Sequence, residues 1–158
     1  MSQRRLRLSL VVLAQTHSAK QTSRRSTYIQ SAFSRAGLHT SNTTTSTYAH
    51  VRPPRSAGTE AILVSANWLS RDGVPNLRGV AMLLALGDFL RGQNYWASDF
   101  VLVIGEGYVS GLQGFMEEYE RLFGGVIWTG LNIDYPGHSF SHLGVFYGDY
   151  HLTARIYS

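Results

Sequence analysis

A glycine-rich turn within residues 100–115, FVLVIGEGYVSGLQGF, is the stretch of this chain whose spacing most suggests ligand chemistry. An apolar run ends in Gly105-Glu106-Gly107, where a dinucleotide-binding domain would wrap its first turn around the pyrophosphate. That fingerprint needs glycines at the first, third and sixth places, but Ser110 holds the sixth place and Gly111 follows one residue late. Glu106 would also place a negative charge among the phosphates. A nucleotide-binding oxidoreductase is therefore an alternative with imperfect spacing.

A second grouping, near the end of the chain, has the side chains of a metal site. His138 and His142 are four residues apart, and Asp134 precedes His138 by four. On one helix these residues would share a face and could bind a cation. However, Pro136 and Gly137 interrupt any helix here. We therefore expect the two histidines to have a structural or subunit-contact role.

The composition is that of a folded domain whose positive charge is confined to its N-terminal part. The 158 residues are 44% apolar and 12% aromatic, which indicates one globular domain. No cysteine is present, which excludes disulfides, thiolate metal sites and a cysteine nucleophile. The net charge of +4 combines nine basic and no acidic residues in 1–59 with five basic and ten acidic residues in 60–158. Because the folded part is acidic, a nucleic-acid-binding surface is not expected.

Residues 1–25 form a basic arm that we predict to be disordered, followed by a single domain over residues 26–158. The apolar segment LRLSLVVLA at residues 6–14 begins among three arginines. A secretory signal and a mitochondrial presequence both fit this composition, and a disordered tail is the preferred interpretation. No apolar run of the sequence approaches the ~18 residues that a membrane-spanning helix needs.

Strands and helices alternate along the domain, which predicts an α/β fold with three layers, α/β/α, and a mostly parallel sheet. Three short apolar runs have the continuous hydrophobicity of strands covered on both faces. Two longer segments repeat apolar residues at the helical spacing, and each ends at glycine. Ser26 is the expected N-cap of an earlier, shorter helix that ends at Gly37. The predicted order is a helix over 26–37, a strand reaching Val51, a strand in 60–68, a helix over 77–92, a strand at 99–105, a helix over 110–125, a strand at 126–135 and at most one further strand near 143–147.

This order of elements resembles the co-catalytic zinc aminopeptidase superfamily. Its motifs are His-x-Asp after the first of these strands, Asp-Asn-x-x-Gly at the start of the following helix and Glu-Glu-x-Gly after the next strand. Asn76-Leu77-Arg78-Gly79 stands where Asn-x-x-Gly is expected, and Gly111-Leu112-Gln113-Gly114 matches the glycine-rich end of the last motif. The resemblance implies a shortened version of that scaffold.

The positions of the metal ligands in those motifs are held by residues that do not bind metals in this way. Asn67 and Leu69 replace the His and Asp of the first motif, and Pro75 replaces the bridging Asp. Tyr108 and Val109 replace the paired glutamates. Hydrolysis at such a site needs imidazole and carboxylate ligands together with a carboxylate base. The resemblance therefore implies degenerate metal-site positions, with no catalytic residue, no metal and no cofactor.

An active metallopeptidase is an alternative if the ligands have moved to new positions. Asp72, Glu106 and His138 are the displaced ligands that such an enzyme could use. Metal-dependent aminopeptidase turnover would distinguish it from an inactive scaffold.

One family keeps this frame without the metal ligands, and the chain resembles it more closely than any active peptidase. This is the luminal domain of the GPI-anchor attachment subunit, the Gaa1-like component of GPI transamidase. The similarity covers about residues 28–149 and includes RPPRSAGTEAILVSANW, LRGVAMLLALGDFLRGQNYWASDFVLVIGEG and LNIDYPGHSFSHLGVFYGD. Because the usual family member is longer and has membrane helices at both ends, the chain looks like a luminal fragment.

The resemblance implies a non-catalytic subunit on the luminal side of the endoplasmic reticulum membrane. Its partners would be the other transamidase subunits and the GPI lipid or the proprotein, which it would recruit or position. The expected docking surface is the cleft where loops 66–79 and 105–111 meet, at the carboxyl ends of the strands. In that compartment Asn42 would be a glycosylation site, because Asn42-Thr43-Thr44 is a sequon. Mitochondrial delivery by the arm is the alternative location.

Overall fold

The computed structural model describes residues 20–108, 110–137, 142–148 and 151–157, which form one sheet with helices on both faces. The sheet has seven strands in the order β1-β2-β4-β3-β5-β7-β6. The helices are α1 (20–35), α2 (Leu77–Arg91) and α3 (Ser110–Phe123), and the strands are β1 (His39–Asn42), β2 (Ser46–Val51), β3 (Glu60–Ser65), β4 (Asp99–Gly105), β5 (Val126–Asp134), β6 (His142–Gly148) and β7 (His151–Tyr157).

The middle of the sheet is parallel and its two sides are antiparallel. Strands β4, β3, β5 and β7 are neighbours and all run in the same direction. The β1–β2 hairpin joins β4 in the antiparallel sense, and β6 is antiparallel to β7. Parallel neighbours need crossover connections, and α2 and α3 provide the crossovers of the central strands. The predicted α/β class with a largely parallel sheet is confirmed.

Two apolar clusters on opposite faces of the sheet hold the three layers together. Helices α1 and α2 cover one face, where Phe33 and Leu83 are fully buried. Helix α3 covers the other face, where Phe115 is fully buried and contacts the ring of Tyr48. Burial of one such side chain contributes about 1.5–3 kcal/mol. Strand β4 lies between both clusters and is buried at all seven positions, which explains the uninterrupted apolar run from Phe100 to Ile104.

The first helix begins earlier than the sequence predicted. It covers residues 20–35, so residues 20–25 of the supposed arm are helical, and Ser26 lies inside the helix rather than at its N-cap. The stop at Gly37 is confirmed, because this residue has a φ of 74°, a conformation that glycine adopts without strain. The remainder of the predicted arm, residues 1–19, lies outside the described residues.

Two strands were missing from the prediction. The segment expected to be one strand up to Val51 is the β1–β2 hairpin, in which Thr43 Oγ1 accepts the N–H of Ser46 at 3.0 Å and closes the turn. The C-terminal segment contains two strands instead of one, because β7 finds its partners in β5 and β6. These strands are held by hydrogen bonds to segments that are distant in the sequence, and no local sequence pattern predicts such pairing.

Several connections meet at the edge of the sheet where the parallel strands end. The loops after β3, β4 and β5 share this edge, and α2 and α3 begin there. The β1–β2 turn also reaches it, because Ser46 is paired with Gly105 in the antiparallel β2–β4 ladder. The N–H of Glu106 then donates to the carbonyl oxygen of Thr45 at 3.1 Å. This carboxyl edge therefore carries both loops of the predicted cleft.

Candidate functional site

The degenerate metal-site positions lie together at the carboxyl edge. Asn67 and Leu69 follow β3, Pro75 precedes α2 and Tyr108 follows β4, whereas Val109 lies outside the described residues. The structure joins the four described positions in two pairs, Asn67 with Tyr108 and Leu69 with Pro75. The four described positions therefore lie at the same edge of the sheet, and their assignment as former metal-ligand positions stays a prediction.

Asn67 connects the loop after β3 to the loop after β4. Its side chain is buried, and Nδ2 donates a hydrogen bond to the carbonyl oxygen of Tyr108. The other amide atom, Oδ1, is buried without a hydrogen-bond partner. A Cβ atom on Gly105 would lie 2.5 Å from Oδ1, so only glycine fits beside this side chain. Asn67 thus serves as a link between loops.

Leu69 and Pro75 form the base of a short loop that closes over the start of α2. The two residues make an isolated antiparallel bridge. Inside the loop, the N–H of Ser70 donates to the carbonyl oxygen of Val74 at 2.8 Å, and Gly73 turns the chain with a φ of 76°. Leu69 is 36% exposed, so an apolar side chain reaches solvent at this position of the loop.

Asn76 joins three segments at the start of α2. Its Nδ2 donates to the carbonyl oxygens of Asn67 at 3.0 Å and Ile133 at 2.9 Å, and its Oδ1 accepts the N–H of Tyr135 at 2.8 Å. A Cβ atom on Gly79 would lie 2.4 Å from Oδ1 of Asn76. Asn76 therefore acts as a structural clamp. Both atoms of its side-chain amide form hydrogen bonds with backbone groups, and glycine at position 79 leaves room for this side chain.

The glycine-rich turn after β4 is explained by close packing of the chain on itself. A Cβ atom on Gly111 would lie 2.4 Å from the Cα atom of Gly105. Strand β4 and helix α3 thus touch through their backbones at the place where a dinucleotide-binding turn would hold phosphate. This contact explains the glycine spacing without a cofactor.

Arg25 of α1 reaches into the same edge and pairs with Glu106. Its Nη1 lies 3.1 Å from Oε2 of Glu106, and the guanidinium carbon lies 4.9 Å from the ring centroid of Trp68. The arginine is thus held by a charge from the β4 loop and by an aromatic face from the β3 loop. Sequence analysis missed this residue, because Arg25 and Glu106 are 81 positions apart and the arginine was assigned to the arm.

The two proposed displaced ligands that the structure describes, Asp72 and Glu106, do not belong to a metal-binding group. Asp72 is exposed in the loop before α2, Glu106 is paired with Arg25, and His138 lies outside the described residues. Asp134 ends β5, is buried and accepts the N–H of Arg71 at 3.2 Å. Across the described ranges, no group of three or more His, Asp or Glu residues could hold a metal ion.

A cluster of charged groups lies at the opposite edge, around Asp99 at the start of β4. Oδ2 of this buried carboxylate lies 2.7 Å from Nε2 of His50 and 3.0 Å from Nε of Arg52. Burial alone would raise the pKa of Asp99. Hydrogen bonds from Ser56, Arg52 and His50, together with the charge of His50, outweigh it and hold the pKa below its usual value of 3.8. Burial and the nearby charge of Asp99 raise the pKa of the Tyr119 phenol.

A protein-family match decides between the aminopeptidase and the Gaa1-like resemblance of this chain. The profile of the family described as "Gaa1-like, GPI transamidase component" matches residues 43–149. The chain belongs to the Gaa1-like family. The GPI transamidase component gaa1 of Schizosaccharomyces pombe is 33% identical over 69 residues, which are 44% of this chain and 12% of that protein. The GPI transamidase component GAA1 of Saccharomyces cerevisiae is 29% identical over 91 residues, 56% of this chain and 15% of that protein.

The fold of this Gaa1-like chain is similar to the folds of two bacterial proteins of known structure. A glutaminyl cyclase from Porphyromonas gingivalis superposes with a TM-score of 0.50 at 16% identity, covering 68% of this chain and 48% of the enzyme. A Bacteroides vulgatus protein assigned to the Zn-dependent exopeptidases gives a TM-score of 0.52 at 16% identity, covering 73% and 51%. These similarities confirm the aminopeptidase-like fold. None of the helices in the described part of the chain is long and apolar enough to span a bilayer.

Proposed function

We propose that this Gaa1-like chain takes part in attaching GPI anchors to proteins, as a non-catalytic unit of the GPI transamidase. The chain spans about an eighth of the length of the two curated relatives, so its role is that of one segment within the assembly. The observation that carries the non-catalytic reading is the hydrogen bond between Asn67 and Tyr108. Two former ligand positions are used to join loops, and a metal would have to break that connection.

The two enzymatic alternatives each conflict with a specific contact. For a metallopeptidase, Glu106 would have to leave Arg25, the cation with which it already forms an ion pair. For a nucleotide-binding oxidoreductase, the pyrophosphate would have to enter a turn in which Gly105 and Gly111 already touch. Both changes would remove existing contacts before any ligand is bound. A non-catalytic domain keeps both the Arg25–Glu106 ion pair and the contact between Gly105 and Gly111.

The positioning role rests on an apolar rim beside the degenerate site. Leu69, Val74 and Leu77 are 36%, 44% and 61% exposed, and all three lie on the short loop before α2 or at the first position of that helix. Neighbouring exposed apolar side chains are typical of surfaces that meet a protein or a lipid. Leu69 directly follows Trp68, the residue whose ring lies under the guanidinium of Arg25. We propose this rim as the docking surface for a transamidase subunit or the substrate.

A segment exchange in a relative tests this proposal. Residues 43–149 would replace the matched segment of the S. cerevisiae component, and the display of a GPI-anchored reporter at the cell surface would be measured. We expect the chimera to support anchoring and Leu77→Ser with Val74→Ser to reduce it several-fold. Met82→Ser is the matched control, since Met82 is also exposed on α2 but lies outside the rim. Equal loss with Met82→Ser would refute a docking role for the rim.

Residence in the lumen of the endoplasmic reticulum is proposed together with glycosylation of Asn42. Asn42 is exposed at the end of β1, next to the tight turn of the hairpin, where an oligosaccharide could be added without disturbing the core. In cells, endoglycosidase treatment should increase the electrophoretic mobility of the chain. Asn42→Gln should abolish this shift, whereas Thr44→Ser should keep it because the sequon is preserved. Import into mitochondria without glycan would show the alternative location.

A further inference from the structure

A concavity at the carboxyl edge is lined mainly by serine and threonine residues. It has a volume of about 580 Å³ and lies between α1, the β1–β2 turn and the loop after β4. Nine of its twelve lining residues are serine or threonine, two carry amides, and one is Glu106. No aliphatic or aromatic residue is among the described residues that line it. We refer to this concavity as the hydroxyl pocket.

The hydroxyl pocket is suited to a ligand that is itself rich in hydroxyl groups. Each serine and threonine hydroxyl can both donate and accept a hydrogen bond, and each amide offers donors and an acceptor. An apolar ligand would remove these groups from water without compensation, which is unfavourable. A polyhydroxylated ring replaces each lost water contact with an equivalent one. The volume is within the range of small-ligand sites, which is about 300–1,000 Å³.

The charge of the hydroxyl pocket argues for a neutral ligand. Glu106, the one carboxylate among the described lining residues, is paired with Arg25 at 3.1 Å. The pair cancels the charge that would otherwise favour a cation. No arginine or lysine is among the described lining residues, so these residues offer a phosphate no cationic partner. A neutral polyol is the class that fits both observations.

Some of the hydroxyl groups are already held in position. Oγ1 of Thr47 donates to Oγ of Ser26 at 3.1 Å, which fixes α1 against β2 across the floor of the pocket. Oγ atoms of Thr43 and Ser46 lie 2.6 Å apart within the turn. Because Ser26 accepts in the first of these bonds, its own O–H is available to donate. Because these hydroxyl groups are already held in place, less side-chain conformational entropy is lost when a ligand binds.

We propose that the hydroxyl pocket is a carbohydrate-binding site for a neutral sugar or cyclitol ring. This inference goes beyond the proposed function and does not depend on it, because it uses only the side chains that line the pocket. The ligand would rest between the polar face of α1 and the β1–β2 turn, with Glu106 accepting from one of its hydroxyls. Glu106 lies in the loop after β4, the loop that also contains the degenerate position Tyr108.

An NMR titration of the 158-residue chain tests this proposal. Unglycosylated protein from bacterial expression would be titrated with methyl hexosides and with myo-inositol in separate arms, which distinguishes a sugar from a cyclitol. Inorganic phosphate is the charged comparison. Weak affinity is expected, with a Kd of about 1 mM for a single ring. Chemical-shift changes should concentrate on α1 and residues 42–47.

A matched pair of variants decides whether the hydroxyl pocket is the site. Ser23→Trp fills the pocket with a bulky side chain, whereas Gln21→Trp adds the same side chain to an exposed position of α1 outside it. Loss of even one hydrogen bond weakens binding about fivefold, so Ser23→Trp should raise the Kd at least that much and Gln21→Trp should not. The proposal is overturned if neither polyol shifts these residues, if phosphate binds more tightly, or if both variants bind equally well. The spectrum of each variant reports whether it is folded.

Discussion

Arg25 and Glu106 form an ion pair of 3.1 Å at the carboxyl edge of the sheet, although 81 positions separate them in the chain. Both side chains are about one quarter to one third exposed. The arginine also lies over the ring of Trp68. The guanidinium therefore supplies positive charge between the loop after β3 and the loop after β4. Helix α1 is thereby tied to the loops of the proposed docking surface.

The Arg25–Glu106 pair should contribute a small but measurable coupling free energy. A double-mutant cycle with Arg25→Ala and Glu106→Gln, followed by chemical denaturation, is expected to give about 0.5–1 kcal/mol, because the pair is only partly shielded from water. Arg24→Ala provides the matched control, since Arg24 is an exposed neighbour on the same helix. Its coupling to Glu106→Gln should be near zero. A coupling that is equal for Arg24 and Arg25 would contradict the observed geometry.

The sequence predicted those strands and helices whose burial requires a particular pattern of apolar residues. Strand β4 was predicted at its observed bounds, because burial on both faces requires an uninterrupted apolar run. Helix α2 was predicted because packing one face on the sheet requires apolar residues at the helical spacing, and Gly92 was expected to end it. The motif resemblance also predicted which loop positions lie close together, because a motif fixes the order of its residues along the chain, whereas the loss of metal ligands at those positions stays a prediction. Asn67, Leu69, Pro75 and Tyr108 do meet at one edge.

The features that the sequence did not predict depend on contacts between segments that are far apart in the chain. The β1–β2 hairpin and β7 form because other strands offer hydrogen bonds to them. The start of α1 was misjudged because the basic residues before Ser26 resemble a disordered arm, and only the fold shows that Arg25 has an acidic partner. The sequence analysis placed the cleft between two loops. The hydroxyl pocket beside it appears only when α1 is brought against the β1–β2 turn.

Asn76 should be a major determinant of stability. Asn76→Asp keeps the shape of the side chain but replaces both donors at Nδ2 with an acceptor that faces the carbonyl oxygens of Asn67 and Ile133. A buried, unsatisfied polar group costs about 1–3 kcal/mol, and more when it is charged. We expect a loss of at least that size in the free energy of unfolding, measured by urea denaturation. Asn42→Asp is the control at an exposed site and should change stability by less than about 0.5 kcal/mol. Unchanged stability of Asn76→Asp would show that the clamp is dispensable.

Zinc should neither stabilise the chain nor bind to it at stoichiometric levels. A ligand that binds only the folded state raises stability with the logarithm of its concentration relative to its Kd, by about 2.7 kcal/mol when the free concentration is one hundred times the Kd. Thermal unfolding with and without zinc, together with calorimetric titration, is therefore a sensitive test. We expect no shift in Tm, because Leu69 and Pro75 offer no lone pairs from their side chains and Asn67 is bonded to Tyr108. A stoichiometric, tight site would instead support the displaced-ligand enzyme, and Glu106→Gln would then identify whether that carboxylate takes part.

Asp99 should make the stability of the protein depend on pH in the acid range. Its pKa in the folded state lies below the ordinary value of 3.8, so the folded protein binds the proton less readily than the unfolded chain. The resulting stabilisation is fully present above the unfolded pKa and is lost as the pH falls through the folded pKa. Asp99→Asn should therefore be less stable than the parent at pH 7, by about 1.5–3 kcal/mol for the loss of a charged hydrogen-bond acceptor.

The difference between Asp99→Asn and the parent protein should shrink as the pH is lowered below about 4. Thermal unfolding measured in steps between pH 7 and pH 3 would follow it. Asp88→Asn is the matched control, because Asp88 is exposed on α2 and its substitution should leave the pH profile unchanged. If the difference between parent and Asp99→Asn stays constant over this range, the partners Arg52 and His50 do not hold the carboxylate ionised. The cluster would then act through packing alone.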